Sequence, residues 1–166
     1  MPETPDQIDH EPSRDRGVIW VAIQGVLFVV FFGVFLLSDP IADFSGLLAV
    51  RIIGVIVALA GSGLSIWAVR LHGPELSPYP SPVPGTQVIT EGVYRWVRHP
   101  MYGGIVLFSL GTGLAYSKPW VLVTAALFLV FFAAKSKHEE QLLVDFFEDY
   151  AAYQATVRWR IIPFLV

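Results

Sequence analysis

Two unbroken apolar blocks constrain this chain more than any other feature. Val18–Leu37 runs for 20 residues without a charge, interrupted only by Gln24, and Leu47–Val69 runs for 23 with one charge at Arg51. About 20 apolar residues in a helix cross a hydrocarbon core of roughly 30 Å, so both blocks predict transmembrane helices. Two shorter blocks follow, Met101–Ser117 with 17 residues and Pro119–Ala134 with 16, and only Lys118 and Pro119 mark the join. That join predicts a tight helical hairpin whose missing length comes from ends running on into the interface. The expected fold is therefore an all-α integral membrane protein. It has four transmembrane helices, over about 18–37, 47–69, 101–117 and 119–134. Composition agrees: 15% of residues are charged, against about 25% in soluble domains.

The sequence has no cysteine, which excludes disulfides, thiolate metal sites and cysteine nucleophiles, and no metal site is predicted. Arg14 and Arg16 precede the first block, Arg70, Arg95 and Arg98 lie between the second and third, and Lys135, Lys137, Arg158 and Arg160 follow the fourth. Lys118 alone falls in an opposite-side loop. Cytoplasmic loops carry the excess of Lys and Arg, so both termini and the 70–99 loop are expected on the cytoplasmic side, in the cell inner membrane. Residues 1–17 are polar, acidic-leaning and proline-containing, the composition of a disordered tail. The block after them is too long for a signal peptide, with no small-residue cleavage pattern behind it. Residues 18–166 then form one membrane domain without internal repeats.

Ser38-Asp39-Pro40 ends the first span, because proline disfavours helix in the residue before it. The second span carries Gly54, Ala58, Gly61, Ser62, Gly63 and Ser65, small residues that let helix backbones approach closely in lipid. Arg51 is expected to snorkel outward or pair with Asp39 or Asp43. The 70–99 loop contains "GPELSPYPSPVPG", a stiff extended chain that serves either as a linker or as a lid over a pocket. Beyond the fourth span, Leu142, Leu143, Phe146, Phe147, Tyr150, Tyr153 and Val157 recur at helical spacing. They predict an amphipathic cytoplasmic helix over 135–157 that continues the span and then bends along the surface. Its acidic residues argue against adhesion to anionic lipid, which leaves the 70–99 loop to cover its apolar face.

The stretch "VRHPMYGG" (97–104) enters the third span with an unusual set of residues. Thr90 is placed to cap a short helix through "EGVYRWVR", which must end near His99. Pro100 suits the first turn of the next helix, where its missing N–H costs nothing. The free amides of Met101, Tyr102 and Gly103 present the positive end of the helix dipole. Gly103 and Gly104 would let a ligand approach the backbone, and Arg98 and His99 add donors. Together these features suit an anion; positive-inside anchoring with Trp96 and Tyr102 in an aromatic belt is the competing reading. The third and fourth spans are antiparallel neighbours of similar length, so "RHPMYGG" must come close to "KHEEQLL". A cationic helix start facing two carboxylates suits a zwitterionic ligand with a further positive centre. A simple surface ion pair such as Arg98 to Glu139 stays open as the structural alternative.

Taken together, Arg98-His99-Pro100-x-Tyr102-x-Gly104, Glu139-Glu140-x-x-Leu143, Phe147-x-x-Tyr150-x-x-Tyr153 and the terminal "RWRIIP" resemble the isoprenylcysteine carboxyl methyltransferase family. The related membrane phospholipid methyltransferases share much of this pattern. The resemblance covers roughly residues 47–163. It implies an integral membrane enzyme using S-adenosylmethionine, held in a cytoplasm-facing pocket made by the last two spans, the loop before them and the C-terminal helix. By motif position it implies that His99, Tyr102, Gly104, Glu139 and Glu140 contact the cofactor, and that Arg98 contacts it or shapes the pocket. Arg158 or Arg160 would lie near the substrate carboxylate. The eukaryotic prenylcysteine enzymes have extra spans before this core, a departure that bears on the prenylated-protein substrate rather than on methyl transfer.

The chemistry agrees. The helix start offers donors for the cofactor carboxylate, and Glu139 or Glu140 can take its ammonium or ribose hydroxyls. Tyr94, Trp96 or Tyr102 could lie against the sulfonium. A carboxylate acceptor is ionised at neutral pH and needs no general base, whereas an amine must lose a proton. With only His99 and His138 as evident bases, O-methylation of a lipid-borne or isoprenoid-linked carboxylate is favoured, and N-methylation of an amino lipid is the alternative. A non-catalytic membrane scaffold is the other class. The expected partners are the bilayer and a membrane lipid or prenylated small molecule entering sideways, with no nucleic acid; oligomeric state is left open.

Overall fold

The computed structural model describes residues 14–41, 48–80, 82 and 85–165. Five α-helices follow in chain order: α1 (Arg14–Leu37), α2 (Leu48–His72), α3 (Pro100–Ala115), α4 (Pro119–Phe146) and α5 (Tyr150–Thr156). No strand occurs among the described residues; one isolated parallel bridge joins Val97 to Trp159. Close packing runs in the order α1, α4, α3, α2. Three helices, α1, α2 and α4, are long and apolar enough to cross a membrane. At about 1.5 Å per residue the 16-residue α3 is only about 24 Å long, shorter than a ~30 Å core.

The fold departs from the sequence reading at several points. Residues 14–17, expected in the tail, open α1; the rest of that tail lies outside the described residues. The expected helix before Pro100 shrinks to a 3₁₀ turn over Gly92–Arg95, capped by Glu91 rather than Thr90 and without a side-chain cap bond. The C-terminal helix over 135–157 is not one helix. α4 continues straight to Phe146, Phe147 turns extended, and α5 starts at Tyr150. The break lets Tyr150, Tyr153 and Val157 bury themselves with Leu143, Phe147 and Val88, whereas a straight helix would carry them away from the body. Val88 belongs to the proline-rich loop, which therefore does cover this apolar face.

α2 and α3 pack backbone to backbone through matched small residues. A Cβ on Gly61 would lie 2.5 Å from the Phe108 amide nitrogen, and one on Gly111 would lie 2.5 Å from the Gly54 carbonyl oxygen. Gly63, on the other side of α2, faces open space. Ser65 Oγ donates across the same seam to the Met101 carbonyl at 3.2 Å. At the far end of the bundle Arg51 Nε donates to Ser117 Oγ at 3.3 Å rather than pairing with Asp39; Asp43 lies outside the described residues. Lys118 Nζ donates to the Phe35 carbonyl in the last turn of α1, supplying a partner that the helix end lacks.

Candidate cofactor site

Where α3 begins, the C-terminal segment returns to build the site. Pro100 opens α3 as expected and is buried. Just before it, the Arg98 amide donates to the Trp159 carbonyl at 3.0 Å and the His99 amide donates to the Arg160 carbonyl at 2.7 Å. Residues 97–99 and 159–160 thus run side by side. α4, continuing past its apolar stretch, brings Glu139 and Glu140 to the same depth.

The two glutamates have different surroundings, because successive helical residues point about 100° apart. Glu140 is 5% exposed and collects donors from four residues. Its Oε1 accepts from Arg98 Nε at 2.7 Å and lies 3.2 Å from His99 Nε2. Its Oε2 accepts from Arg98 Nη2 at 3.3 Å, Gln154 Nε2 at 3.2 Å and Arg160 Nε at 3.2 Å. A carboxylate has about four lone-pair sites, so Glu140 is saturated by its own chain. Arg98 Nη1 donates in addition to the Val157 carbonyl. This is a buried ion pair, not the exposed Arg98–Glu139 pair that the sequence left open.

Glu139 faces an open cavity instead. Its Oε2 accepts from the Tyr102 hydroxyl at 2.7 Å and lies 3.8 Å from His99 Nδ1, while its Oε1 has no hydrogen bond among the described residues. His99 stacks on Tyr102 with ring centroids 5.3 Å apart, and Tyr102 stacks on Phe132 at 4.5 Å. This column fixes Tyr102 between the polar site and the apolar bundle.

The cavity is open at its mouth, and its space of about 890 Å³ takes in the solvent there. Arg98, His99, Met101, Tyr102 and Glu139 form its floor, Leu143, Phe147, Tyr150 and Tyr153 one side, and loop residues between Ser77 and Ile89 the cover. The Tyr153 hydroxyl donates to the Tyr94 carbonyl at 2.7 Å, and the Tyr94 hydroxyl lies 3.0 Å from His72 Nδ1. Burial pushes the Tyr94 and Tyr150 phenols well above their ordinary range and Tyr153 up to about 12. All three stay neutral at physiological pH.

Of the residues singled out in the sequence, Arg98, His99, Tyr102 and Glu139 line the cavity. Arg160 joins the group through Glu140, but Arg158 is exposed and stays outside it. Gly103 and Gly104 are a correction. The approach to Gly103 is filled by the Ile161 carbonyl, and that to Gly104 by Ser65 and the Gly61 carbonyl. Both glycines serve helix and tail packing rather than ligand approach. His138 stacks on Trp20, ring centroids 5.6 Å apart. Two participants had no signal of their own in the sequence: His72 is an ordinary helix-end residue, and Gln154 depends on the α4–α5 break; Tyr94, expected against the cofactor's cation, lines the cavity from a turn read as a helix. No group of three or more His, Asp or Glu residues able to hold a metal occurs among the described residues.

The model of the phospholipid methyltransferase family matches residues 49–150. Over 72 residues the chain is 39% identical to a Homo sapiens protein-S-isoprenylcysteine O-methyltransferase, covering 42% of this chain and 25% of that one. Over 76 residues it is 37% identical to protein-S-isoprenylcysteine O-methyltransferase B of Arabidopsis thaliana, covering 43% and 37%. The chain thus spans less than two fifths of these curated relatives. The solved structure of a eukaryotic intramembrane Ras methyltransferase, an isoprenylcysteine carboxyl methyltransferase, superposes with a TM-score of 0.67 at 24% identity. The likeness takes in 96% of this chain and 55% of that one, and it supports a common fold.

Proposed function

The chain belongs to the phospholipid methyltransferase family, and on that premise we propose that it is an integral membrane methyltransferase using S-adenosylmethionine to methylate a lipid-borne carboxylate. In this reading α3 completes four crossings. Residues 18–166 form one domain of a cell inner membrane protein, with both termini and the 70–99 loop in the cytoplasm. The acceptor, a membrane lipid or prenylated small molecule, enters sideways from the bilayer.

One observation carries the proposal: a carboxylate oxygen of Glu139 without a hydrogen bond among the described residues, in the cavity lining beside His99 and Tyr102, while its neighbour Glu140 is fully used. That donor and acceptor set fits the cofactor's ammonium and ribose hydroxyls. When bound, S-adenosylmethionine supplies an electrophilic methyl group. Glu139, Tyr102 and the Met101 and Tyr102 amides at the start of α3 would hold the cofactor; the Gly103 amide, expected to be free, donates to the His99 carbonyl at 3.2 Å. Glu140 is a positioning residue: it holds Arg98 and His99 in place and keeps the C-terminal segment closed. Aligning the reactants where water is excluded accounts for much of the rate in a reaction of this kind, and the proline-rich cover supports such exclusion.

Acceptor chemistry follows from the bases on offer. Both ring nitrogens of His99 face carboxylates, and His138 stacks on Trp20. Neither is directed at an acceptor, which favours a carboxylate that needs no proton removed. An amine acceptor would rest on His72, which lines the cavity with Nδ1 beside Tyr94. Purified protein incubated with methyl-labelled S-adenosylmethionine and a lipid extract separates these outcomes. We expect label in the organic phase that mild base releases as methanol. Base-stable label would mean N-methylation, and unlabelled lipid would leave a scaffold as the better account.

A further inference from the structure

One charged side chain has no part in the reaction described so far. Lys135 lies on α4 one turn before Glu139, about 6 Å closer to the bilayer centre, and is only 1% exposed. Its ammonium donates to Gln24 Oε1 of α1 at 2.6 Å and to the Pro78 carbonyl of the loop at 3.1 Å, and it lies 5.4 Å from the centre of the Tyr102 ring. All three partners are neutral. No carboxylate of the described residues comes within ion-pair distance; Glu139, one turn on, acts on Lys135 only through its field, its Oε2 being shared by Tyr102 and His99. A buried charge with no counter-ion in contact is costly, and ionisable residues at membrane depth tend to mark substrate paths.

We infer that Lys135 is the receptor for the acceptor's carboxylate, and so selects an anionic acceptor; this rests on the methyltransferase reading above. The arginines assigned to that task by sequence do not serve it well: Arg160 is turned to Glu140 and Arg158 is exposed. Lys135 stands where α1, α4 and the loop meet, behind Tyr102 and not in the lining of the cavity, so an acceptor carboxylate reaches it by displacing Gln24 or the Pro78 carbonyl. An incoming carboxylate exchanges a neutral acceptor for a charged one, and charge-assisted hydrogen bonds are about twice as strong. One carboxylate oxygen stays on the ammonium while the other forms the new O–C bond. The S–C bond of the sulfonium breaks with its electron pair left on sulfur, and no proton moves. The ester product is neutral and loses its hold on Lys135, which favours release. The same charge repels a protonated amine.

The test uses the full chain in detergent, an S-prenylated N-acylcysteine as acceptor, and its carboxamide as a neutral competitive inhibitor. Lys135→Met should raise the KM of the carboxylate about ten- to a hundredfold, the range of a lost hydrogen bond to a charged group. Its Kd for S-adenosylmethionine and the Ki of the carboxamide should stay within about twofold of wild type, and Lys135→Arg should recover most of the loss. If Lys135→Met does not fold, Lys135→Gln keeps a donor without the charge and gives the same comparison. A variant that binds S-adenosylmethionine with unchanged KM, or with KM and Ki rising together, overturns the assignment. So does turnover of phosphatidylethanolamine in place of the carboxylate acceptor. A wild-type protein that binds no S-adenosylmethionine overturns the methyltransferase reading and this inference with it.

Discussion

Replacing Glu140 by glutamine should damage the fold, and replacing Glu139 should damage binding. The side chains of Arg98 and Glu140 are 8% and 6% exposed, so solvent screens their pairing little. Neutralising one partner of such a pair costs about 3–5 kcal/mol, because the other charge is left buried. Arg160, 29% exposed in its side chain, adds little to that figure. The glutamine amide would also point a donor into a ring of donors. At about 2–4 °C per kcal/mol for a domain of this size, Glu140→Gln should lower the Tm by about 6–20 °C. Glu139→Gln still accepts from Tyr102, so its cost should be about 1 kcal/mol or less, a shift of at most about 4 °C. It removes the charge that faces the cavity, however, and should weaken S-adenosylmethionine about ten- to a hundredfold. Tryptophan fluorescence on heating and calorimetric titration measure the two effects on the same samples. If Glu139→Gln bound the cofactor normally, or Glu140→Gln melted with the wild type, the division of labour would be refuted.

Two further outcomes follow from the packing. Gly61→Leu should prevent α2 from closing on α3 and abolish a cooperative melt, while Gly63→Leu, facing open space, should melt within about 2 °C of wild type; equal effects of the two would count against the backbone seam. Burial raises Tyr153 from its ordinary 10.0 to about 12 and raises Tyr94 and Tyr150 too. The unfolded chain therefore loses these protons first as pH rises. Their stabilisation is complete below about pH 10 and falls as pH rises, that of Tyr153 being lost between about pH 10 and 12. The Tm of wild type should fall over that window, and Tyr153→Phe should fall less steeply.

The membrane helices were legible because their signal is local. Apolar blocks, the Ser38-Asp39-Pro40 stop and Pro100 at the start of α3 act through the chain's own backbone. The small-residue pattern on α2 also named its seam, although it counted Gly63, which points elsewhere. What was illegible depends on contacts distant in sequence. Neither proline nor glycine occurs between Phe146 and Tyr150, so nothing local announces the α4–α5 break. It arises because Tyr150 and Tyr153 find cover on Val88 and Leu143. Lys135 read as one more basic residue flanking a span, and only the approach of Gln24 and Pro78 buries it.

The paired glutamates carry the same lesson into the site. Sequence proximity put both on one ligand, but a helix cannot turn two successive side chains to one face. The cations near the start of α3 would, on their own, extend toward water, as arginine at a membrane surface does. A fixed carboxylate on the inner side holds them, and Glu140 does so with Gln154 and Arg160 of the C-terminal segment on its second oxygen. That segment is also bonded through its backbone to residues 98 and 99. The terminal "RWRIIP" thus acts as a clasp on the helix start, which accounts for Gly103: a side chain there would push the Ile161 carbonyl away. With the cations held by one glutamate, the other keeps toward the cavity an oxygen that has no hydrogen bond among the described residues, and the binding proposed at Glu139 depends on a fold that Glu140 secures.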